Sequence, residues 1–290
     1  MGILLAILTA ILWALFDVVR KKSLLFLTEI KVLLWIVVSQ FIFFLIFLYF
    51  SEFDIALNDY FLYAFFLIVL NLVSLYLFLS VLKTGELSTY IPLLSFTPLF
   101  SAVYANIILG ESLNYFQYVG IFFIIIGAYL LYLNKFSSFK KEKFSLLKKK
   151  NFFMVIIVAL IWSLTPVLDK ECMKYSDIYL HGFIQSLGML LFFPLIFIKQ
   201  INLKSLSLNI KTKVSFFILA LVVVGFLATF FQLYTLNHIF VAELEALKRA
   251  IGIILSLIFG HYIFKERITI IKVIAVFIIV FGVINIVIFT

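Results

Sequence analysis

Residues 2–19 read GILLAILTAILWALFDVV, an apolar stretch in which Asp17 is the one ionisable side chain. The hydrocarbon core of a bilayer is about 30 Å thick, so a helix needs about 20 predominantly apolar residues to cross it. The stretch therefore predicts a transmembrane helix. Nine further stretches of similar composition follow, at 32–50, 60–82, 88–109, 115–133, 152–168, 178–198, 214–236, 239–263 and 268–289.

These ten stretches determine the fold class. Every backbone N–H and C=O group inside a bilayer needs an internal partner, so only helices and closed β-barrels can cross it. Barrel strands are short segments of alternating polarity, whereas these runs are continuously apolar. We expect an all-α polytopic membrane protein with ten transmembrane helices.

The composition points the same way. Hydrophobic residues make up 66% of the chain and charged residues 13%, whereas soluble domains have about 45–50% and about 25%. The net charge is +9, and the basic residues lie mostly between the stretches, where they set topology and contact anionic lipid headgroups. We expect a protein of the plasma membrane, with lipids and no nucleic acid as partners. The lone Cys172 excludes an intrachain disulfide and a multi-cysteine metal site.

The basic segment 135–151 divides the stretches into five and five. Two motifs recur in the same order in both parts: Ala10-Ile-Leu-Trp13 with Ala159-Leu-Ile-Trp162, and Leu109-Gly-Glu111 with Phe264-Lys-Glu266. Recurrence at nearly one offset indicates a duplication. Because five is odd, the second copy must enter the membrane upside down, as in the inverted repeats of secondary transporters. We expect one five-helix repeat at 1–134 and another at 152–290.

The distribution of Lys and Arg predicts an orientation. With the N-terminus inside, the outer loops would hold eighteen Lys and Arg residues and the inner loops only Lys170 and Lys174. Cytoplasmic loops carry the excess of positive charge in membrane proteins. The charges therefore favour both termini outside.

The paired Ala-x-x-Trp stretches, the two joints and the glycines of the final stretches, Gly127 and Gly282, resemble the EamA type of the drug/metabolite transporter superfamily. The resemblance covers essentially the whole chain. It implies a ten-helix bundle of two inverted repeats that moves small metabolites, amino acids or drugs by alternating access. Members are usually drawn with both termini cytoplasmic, which is opposite to the orientation that the charges favour.

The ninth stretch carries Glu243, Glu245, Lys248 and Arg249 in its first half. A charge near the bilayer centre costs about 2.5–3.5 kcal/mol on insertion scales, so a retained charge usually faces a partner or water. In the functional interpretation, Lys248 or Arg249 binds an anionic group of a solute. Glu245, four residues before Arg249, is then a counter-charge or a proton-coupling carboxylate. The structural alternatives are an ion pair that locks the helix to its neighbours, or interfacial glutamates with a snorkelling Lys248.

The candidate solute-binding residues on other stretches are Trp13, Asp17, Trp162, Asp169 and Gln232. Trp13 and Asp17 share one helical face with Arg20, although a solvated helix end would also explain Asp17. Trp162 and Asp169 lie on the corresponding sixth stretch. A single amide such as Gln232 is more often an interhelical hydrogen-bonding group than a ligand contact.

Three prolines, Pro92, Pro98 and Pro166, are candidate gating residues. A proline inside a helix removes one hydrogen bond and favours a kink. The fourth stretch, with Pro92 and Pro98, is therefore either a gate helix that lines a cavity or a curved packing helix.

These residues predict a secondary transporter for a small polar or anionic, amino-acid-like solute. No glycine-rich phosphate loop is present, so the energy would come from a proton or sodium gradient or from the solute's own gradient. The alternatives are a flippase for a lipid-linked or amphipathic molecule, and a non-transporting membrane scaffold. We expect no enzyme, cofactor or metal, because neither a metal-ligand cluster nor an activated nucleophile is present. We expect a monomer or a homodimer.

Overall fold

The structure of the protein is a computed structural model that describes residues 1–52, 57–84, 90–138, 146–199, 212–264 and 269–289. Within these ranges the chain forms ten α-helices, two short 3-10 helices and no strand. The prediction of an all-α fold is confirmed. Glu266 and residues 139–145 of the basic segment 135–151 lie outside the described residues.

The helices of the first part of the chain are α1 (Gly2–Ser23), α2 (Glu29–Phe47), α3 (Leu57–Thr84), α4 (Thr97–Leu109) and α5 (Tyr115–Ser138). The helices of the second part are α6 (Leu146–Cys172), α7 (Ile178–Phe197), α8 (Thr212–Leu236), α9 (Val241–Phe264) and α10 (Ile270–Ile288). The 3-10 helices are Leu48–Phe50, after α2, and Ile91–Phe96, directly before α4.

Six helical segments are long and apolar enough to cross a membrane: Gly2–Ser23, Glu29–Phe50, Tyr60–Thr84, Lys150–Cys172, Ile178–Phe197 and Ser215–Leu236. Three shorter apolar helical segments accompany them, at Leu93–Leu109, Tyr115–Leu130 and Val273–Ile288. The protein is therefore a polytopic membrane protein. The orientation with both termini outside stays a prediction.

The outer helices present large apolar side chains to their surroundings. In α10, Ile270, Phe277 and Ile288 are 77%, 71% and 67% exposed, and they recur at helical spacing along one face. Soluble proteins do not leave such a continuous apolar face to water. This face is suited to lipid.

The first half of helix α9 is buried, in contrast to the exposed face of α10. Every residue from 241 to 250 is buried, including its four charged side chains. Its N-terminus is held by a joint between the two parts of the chain, because Glu111 Oε2 accepts a hydrogen bond from Val241 N at 2.8 Å and Glu111 Oε1 pairs with Lys170 Nζ at 2.6 Å. A carboxylate at a helix N-terminus satisfies a free N–H group and the helix dipole.

Gly110 explains how α4 ends at this joint. Its φ of +73° places it in the left-handed region, which glycine adopts without the steric cost of a Cβ atom. The Leu-Gly-Glu motif of the sequence is thus a helix C-cap followed by the carboxylate that holds α9.

Contacts between the two parts of the chain are reciprocal. Helix α1 packs on α8 and α9, and its counterpart α6 packs on α3 and α4. Helix α2 packs on α8, and its counterpart α7 packs on α3. Further contacts join counterparts directly, as α2 with α7, α4 with α9, and α5 with α10. Exchanging the two parts therefore leaves the pattern of these main helix contacts unchanged, whereas the contact of α9 with α5 and those of the 3-10 helix Ile91–Phe96 have no reciprocal partner among the described residues.

The α5–α10 contact shows the same reciprocity residue by residue. Gly120 approaches Gly282, and Gly127 approaches Ala275. A Cβ atom added to Gly282 would lie 2.6 Å from Gly120 O. Small residues allow helix backbones to approach closely in membranes, so these glycines set the distance between the two helices.

We expect Gly282→Ala to destabilise the protein, because the new Cβ atom would collide with backbone rather than with a movable side chain. Overpacking of this kind costs about 1–3 kcal/mol. Thermal unfolding in detergent measures the effect. Gly252→Ala in α9 is the matched control, since a Cβ atom there meets nothing within 4 Å and alanine has the higher helix propensity by about 1 kcal/mol. Equal melting temperatures for the two variants would contradict the packing account.

Candidate functional site

Two adjoining cavities lie between the two parts of the chain, and together we call them the chamber. The first cavity, the α9 lobe, has a volume of about 60 Å³, and the second, the α7 lobe, about 90 Å³. Both lobes are lined by Trp13, Arg20, Asn71, Trp162 and Gln232. The chamber is therefore bounded by α1 and α3 from the first part and by α6 and α8 from the second.

Most of the candidate solute-binding residues border this chamber. Those that line the α9 lobe are Trp13, Asp17, Trp162, Gln232, Lys248 and Arg249. Asp169 lines the α7 lobe. Glu245 lies behind the chamber wall and is fully buried.

The charges of α9 form a compact cluster with the carboxylate at its back. Glu245 Oε1 lies 2.5 Å from Lys248 Nζ, and Glu245 Oε2 lies 3.2 Å from Arg249 Nη2. The helical spacings i,i+3 and i,i+4 place both cations on the same face as the carboxylate. Because the two cations line the lobe and Glu245 does not, the cluster presents positive charge to the chamber.

Neighbouring helices orient these two cations. Lys248 Nζ donates to Gln232 Oε1 of α8 at 2.6 Å, and Arg249 Nε donates to Thr97 Oγ1 of α4 at 2.9 Å. Gln232 therefore forms the interhelical hydrogen bond that the sequence allowed, and it also lines the chamber. The sequence gives no signal for Thr97, because its role depends on the point at which the 3-10 helix passes into α4.

A second buried ion pair lies on α1. Arg20 Nη2 is 2.5 Å from Asp17 Oδ1, and the side chain of Arg20 has no solvent exposure. Asp17 and Arg20, which share one helical face, thus pair inside the protein and not at a solvated helix end. Arg20 Nε and Nη1 have no hydrogen-bond partner among the described residues.

Aromatic rings surround the guanidinium of Arg20. Its Cζ atom lies 4.2 Å from the ring centroid of Phe16, 5.1 Å from that of Phe78 and 5.4 Å from that of Trp13. Cation–π contacts of this kind contribute about 0.5–2 kcal/mol each, and most where water is excluded. They stabilise a buried cation that has one carboxylate partner.

The two matched tryptophans each contact a cation of α9. The ring of Trp13 lies 5.0 Å from Lys248 Nζ, and that of Trp162 lies 5.6 Å from Arg249 Cζ. Trp162 Nε1 donates to Ser74 Oγ at 3.1 Å, whereas Trp13 Nε1 has no partner among the described residues. Trp13 Nε1 is thus a buried N–H donor whose hydrogen bond is not made among the described residues.

The three prolines have different positions. Pro166 lies inside α6 and lines the α9 lobe. Pro92 and Pro98 lie in the first turns of the 3-10 helix and of α4, where the missing N–H group leaves no hydrogen bond unmade. The fourth stretch is therefore divided into two elements rather than kinked within one helix, and the 3-10 helix contributes Ile91 to the chamber.

The α9 lobe holds more positive than negative charge. Arg20, Lys248 and Arg249 are balanced only by Asp17 and Glu245. Arginine and lysine at the wall of a cavity with limited water bind carboxylate or phosphate through charge-assisted hydrogen bonds. The α7 lobe is lined by Arg20 and by one carboxylate, Asp169. No cluster of three or more metal-binding side chains occurs among the described residues.

Comparisons with known proteins agree with this architecture. The chain superimposes on a protein of known crystal structure with a TM-score of 0.76, at 13% identity, over 99% of this chain and 97% of that chain. At this identity the likeness shows the fold alone. No curated protein matches the sequence.

The model of the EamA-like transporter family matches residues 1–133 and 149–288, which is nearly the whole chain. The resemblance that the Ala-x-x-Trp stretches and the glutamate joints indicated is confirmed. The chain belongs to the EamA-like transporter family and is a membrane transporter of the drug/metabolite transporter superfamily.

Proposed function

We propose that the protein is a secondary transporter of a small polar or anionic metabolite, with an amino-acid-like solute as the simplest case. The observation that carries the proposal is the excess of cationic groups at the wall of the α9 lobe, beside the uncommitted N–H donors of Arg20 and Trp13. An anionic oxygen would complete the hydrogen bonding of these donors and offset the excess charge.

The proposed mechanism is alternating access by two inverted five-helix repeats, at 1–134 and 152–290, joined by the segment 135–151. The reciprocal packing of the helices supports this division. So does the chamber between the two parts, since binding sites of such transporters lie at the repeat interface. All ten helices would then cross the membrane, with α9 placing its charges at mid-depth.

The α9 cluster would serve as a fixed charge pattern rather than as a moving charge. Glu245 is paired with both Lys248 and Arg249, and removal of one partner from a buried ion pair costs about 3–5 kcal/mol. We therefore assign Glu245 the role of counter-charge and assign solute contact to the two cations and to Trp13, Trp162 and Asp17.

Uptake into proteoliposomes tests the proposal with labelled succinate, glutamate and glycerol 3-phosphate, and with choline as a cationic comparison. We expect uptake of at least one anionic compound and none of choline. Uptake of choline alone, or of none of the four, would contradict an anion-selective chamber. Movement of a fluorescent lipid between leaflets in the same vesicles would favour the flippase alternative.

Arg249→Gln is expected to reduce uptake of the anionic compound by about tenfold to a hundredfold, which corresponds to the loss of one hydrogen bond to a charged group. The measurement is the initial rate at low solute concentration. Lys83→Gln is the matched control, because the Lys83–Glu29 pair is exposed and distant from the chamber residues. Equal uptake rates for Arg249→Gln and the parent would show that Arg249 does not contact the solute.

Gly252→Val tests the chamber itself. Gly252 lines the α9 lobe and a Cβ atom there has open space around it, so a larger side chain fills the cavity instead of displacing the helix. We expect slower uptake, with the largest effect on the largest solute of the panel, and an unchanged melting temperature. Uptake like that of the parent would show that the solute does not pass this wall.

A further inference from the structure

A chain of buried polar side chains connects α3, α6 and α7 at one end of the chamber. It consists of Tyr60, Asp169, His181 and Gln185, and we call it the His181 cluster. Tyr60 and His181 have no solvent exposure, and Asp169 is 3% exposed. Patterns within a single helix do not predict this cluster, because Asp169 and His181 belong to different helices and meet across the α6–α7 turn.

Both ring nitrogens of His181 are in hydrogen-bond contact. Nδ1 lies 2.9 Å from Tyr60 Oη, and Nε2 lies 3.1 Å from Asp169 Oδ1. Gln185 Nε2 donates to the same carboxylate oxygen at 2.9 Å. Imidazole is the side chain whose charge changes most readily near neutral pH.

The geometry is compatible with two protonation states of His181. With neutral imidazole, Tyr60 donates its O–H to Nδ1 and Nε2–H donates to the carboxylate of Asp169. With imidazolium, Nδ1–H donates to Tyr60 Oη, and Nε2–H keeps its carboxylate partner. One proton is gained, the tyrosine hydroxyl rotates, and each hydrogen bond of the ring is retained.

The cluster lies between the chamber and one end of the bundle. Asp169 and Gln185 line the α7 lobe. Asp169 is three residues from the end of α6 at Cys172, and His181 is three residues after the start of α7 at Ile178. A proton bound here would therefore be close both to a membrane surface and to the solute compartment.

The surrounding charges distinguish this carboxylate from Glu245. Among the described residues, Asp169 has one ionic partner, the titratable His181, whereas Glu245 has two permanent cations. The other ionisable groups near the cluster are Glu171 and Cys172 of α6, Lys248 of α9 and Arg20 of α1, which faces Asp169 across the lobe. The side chains that α2 and α8 contribute to this lobe include the uncharged Gln40, Thr229 and Gln232.

We infer that the His181 cluster is a proton-binding site that couples a proton gradient to solute movement. The coupling part of this inference rests on the proposed transport function. The proton-binding part does not. Protonation adds one positive charge beside the α7 lobe, which otherwise holds the carboxylate of Asp169. A solute and a proton that share one chamber then influence each other's binding.

Proton binding can be measured without a solute. The chain has three histidines, so the ¹⁵N spectrum of histidine-labelled protein is simple, and His181→Gln assigns the signal. Between about pH 5 and about pH 8, the range over which imidazole side chains change charge, we expect the His181 signal to move on acidification because Nδ1 binds a proton. We expect Asp169→Asn to abolish the change, because a buried imidazolium loses its counter-charge. A His181 signal that stays the same over this range overturns the inference.

Coupling is measured with the compound from the uptake panel that is transported best. The measured quantity is the initial rate of uptake in the presence of a pH gradient, divided by the rate of solute exchange in the absence of a pH gradient. We expect a ratio of about ten or more in the parent, as each pH unit is a tenfold difference in proton activity, and about one in His181→Gln and Tyr60→Phe. His238→Gln, in the turn before α9, is the matched control and should keep the parental ratio.

The uptake measurement and the histidine spectrum distinguish a failure of the proposed transport function from a failure of the proton site. No exchange in the parent overturns the proposed transport function, while the histidine spectrum still decides whether the cluster binds a proton. A parental ratio in Tyr60→Phe and His181→Gln overturns the coupling. If His181→Gln does not fold, the uptake ratio of Tyr60→Phe alone tests the coupling. This variant keeps the aromatic ring at position 60 and removes only the hydroxyl that contacts His181.

Discussion

The charges of α9 impose the constraint on which the rest of the structure depends. Glu245, Lys248 and Arg249 are buried within one helical turn, and an unpaired charge in such a place costs several kcal/mol. Glu245 offsets two cations at once, so the cluster keeps one excess positive charge. That excess is tolerable only beside polar groups and water. The chamber, the polar contacts from Gln232 and Thr97, and the matched tryptophans are the surroundings that it requires.

The two parts of the chain pack alike but differ in the charges that they contribute to the chamber. At the offset of 149 that aligns Trp13 with Trp162, Arg20 corresponds to Asp169. These two positions thus present a cation from α1 and a carboxylate from α6 to one cavity. Helix packing fixes where these positions lie, and Arg20 lines both lobes whereas Asp169 lines the α7 lobe. In the proposed mechanism, the solute binds beside the cations of the α9 lobe and the proton binds beside the α7 lobe.

The sequence predicted those features that follow from composition and from periodicity within one helix. The apolar stretches predicted the all-α fold, and helical spacing placed Trp13 and Asp17 on one face. The Glu245–Arg249 pair follows from the i,i+4 rule, whereas the Glu245–Lys248 pair was not predicted. Contacts between helices were not predictable in this way. The Asp169–His181 pair and the Thr97–Arg249 hydrogen bond depend on tertiary packing, and Pro92 and Pro98 begin elements instead of bending one helix.

The water-accessible chamber beside α9 is the central claim, and the reactivity of a cysteine at Gly252 tests it most directly. The native Cys172 is buried, and the reaction of the parent protein with the same reagents measures the background labelling. In intact proteoliposomes, Gly252→Cys should react with methanethiosulfonate reagents, and faster with an anionic than with a cationic reagent of equal size, because cations line the wall. A thiol that reacts only after unfolding, or prefers the cationic reagent, would contradict the account.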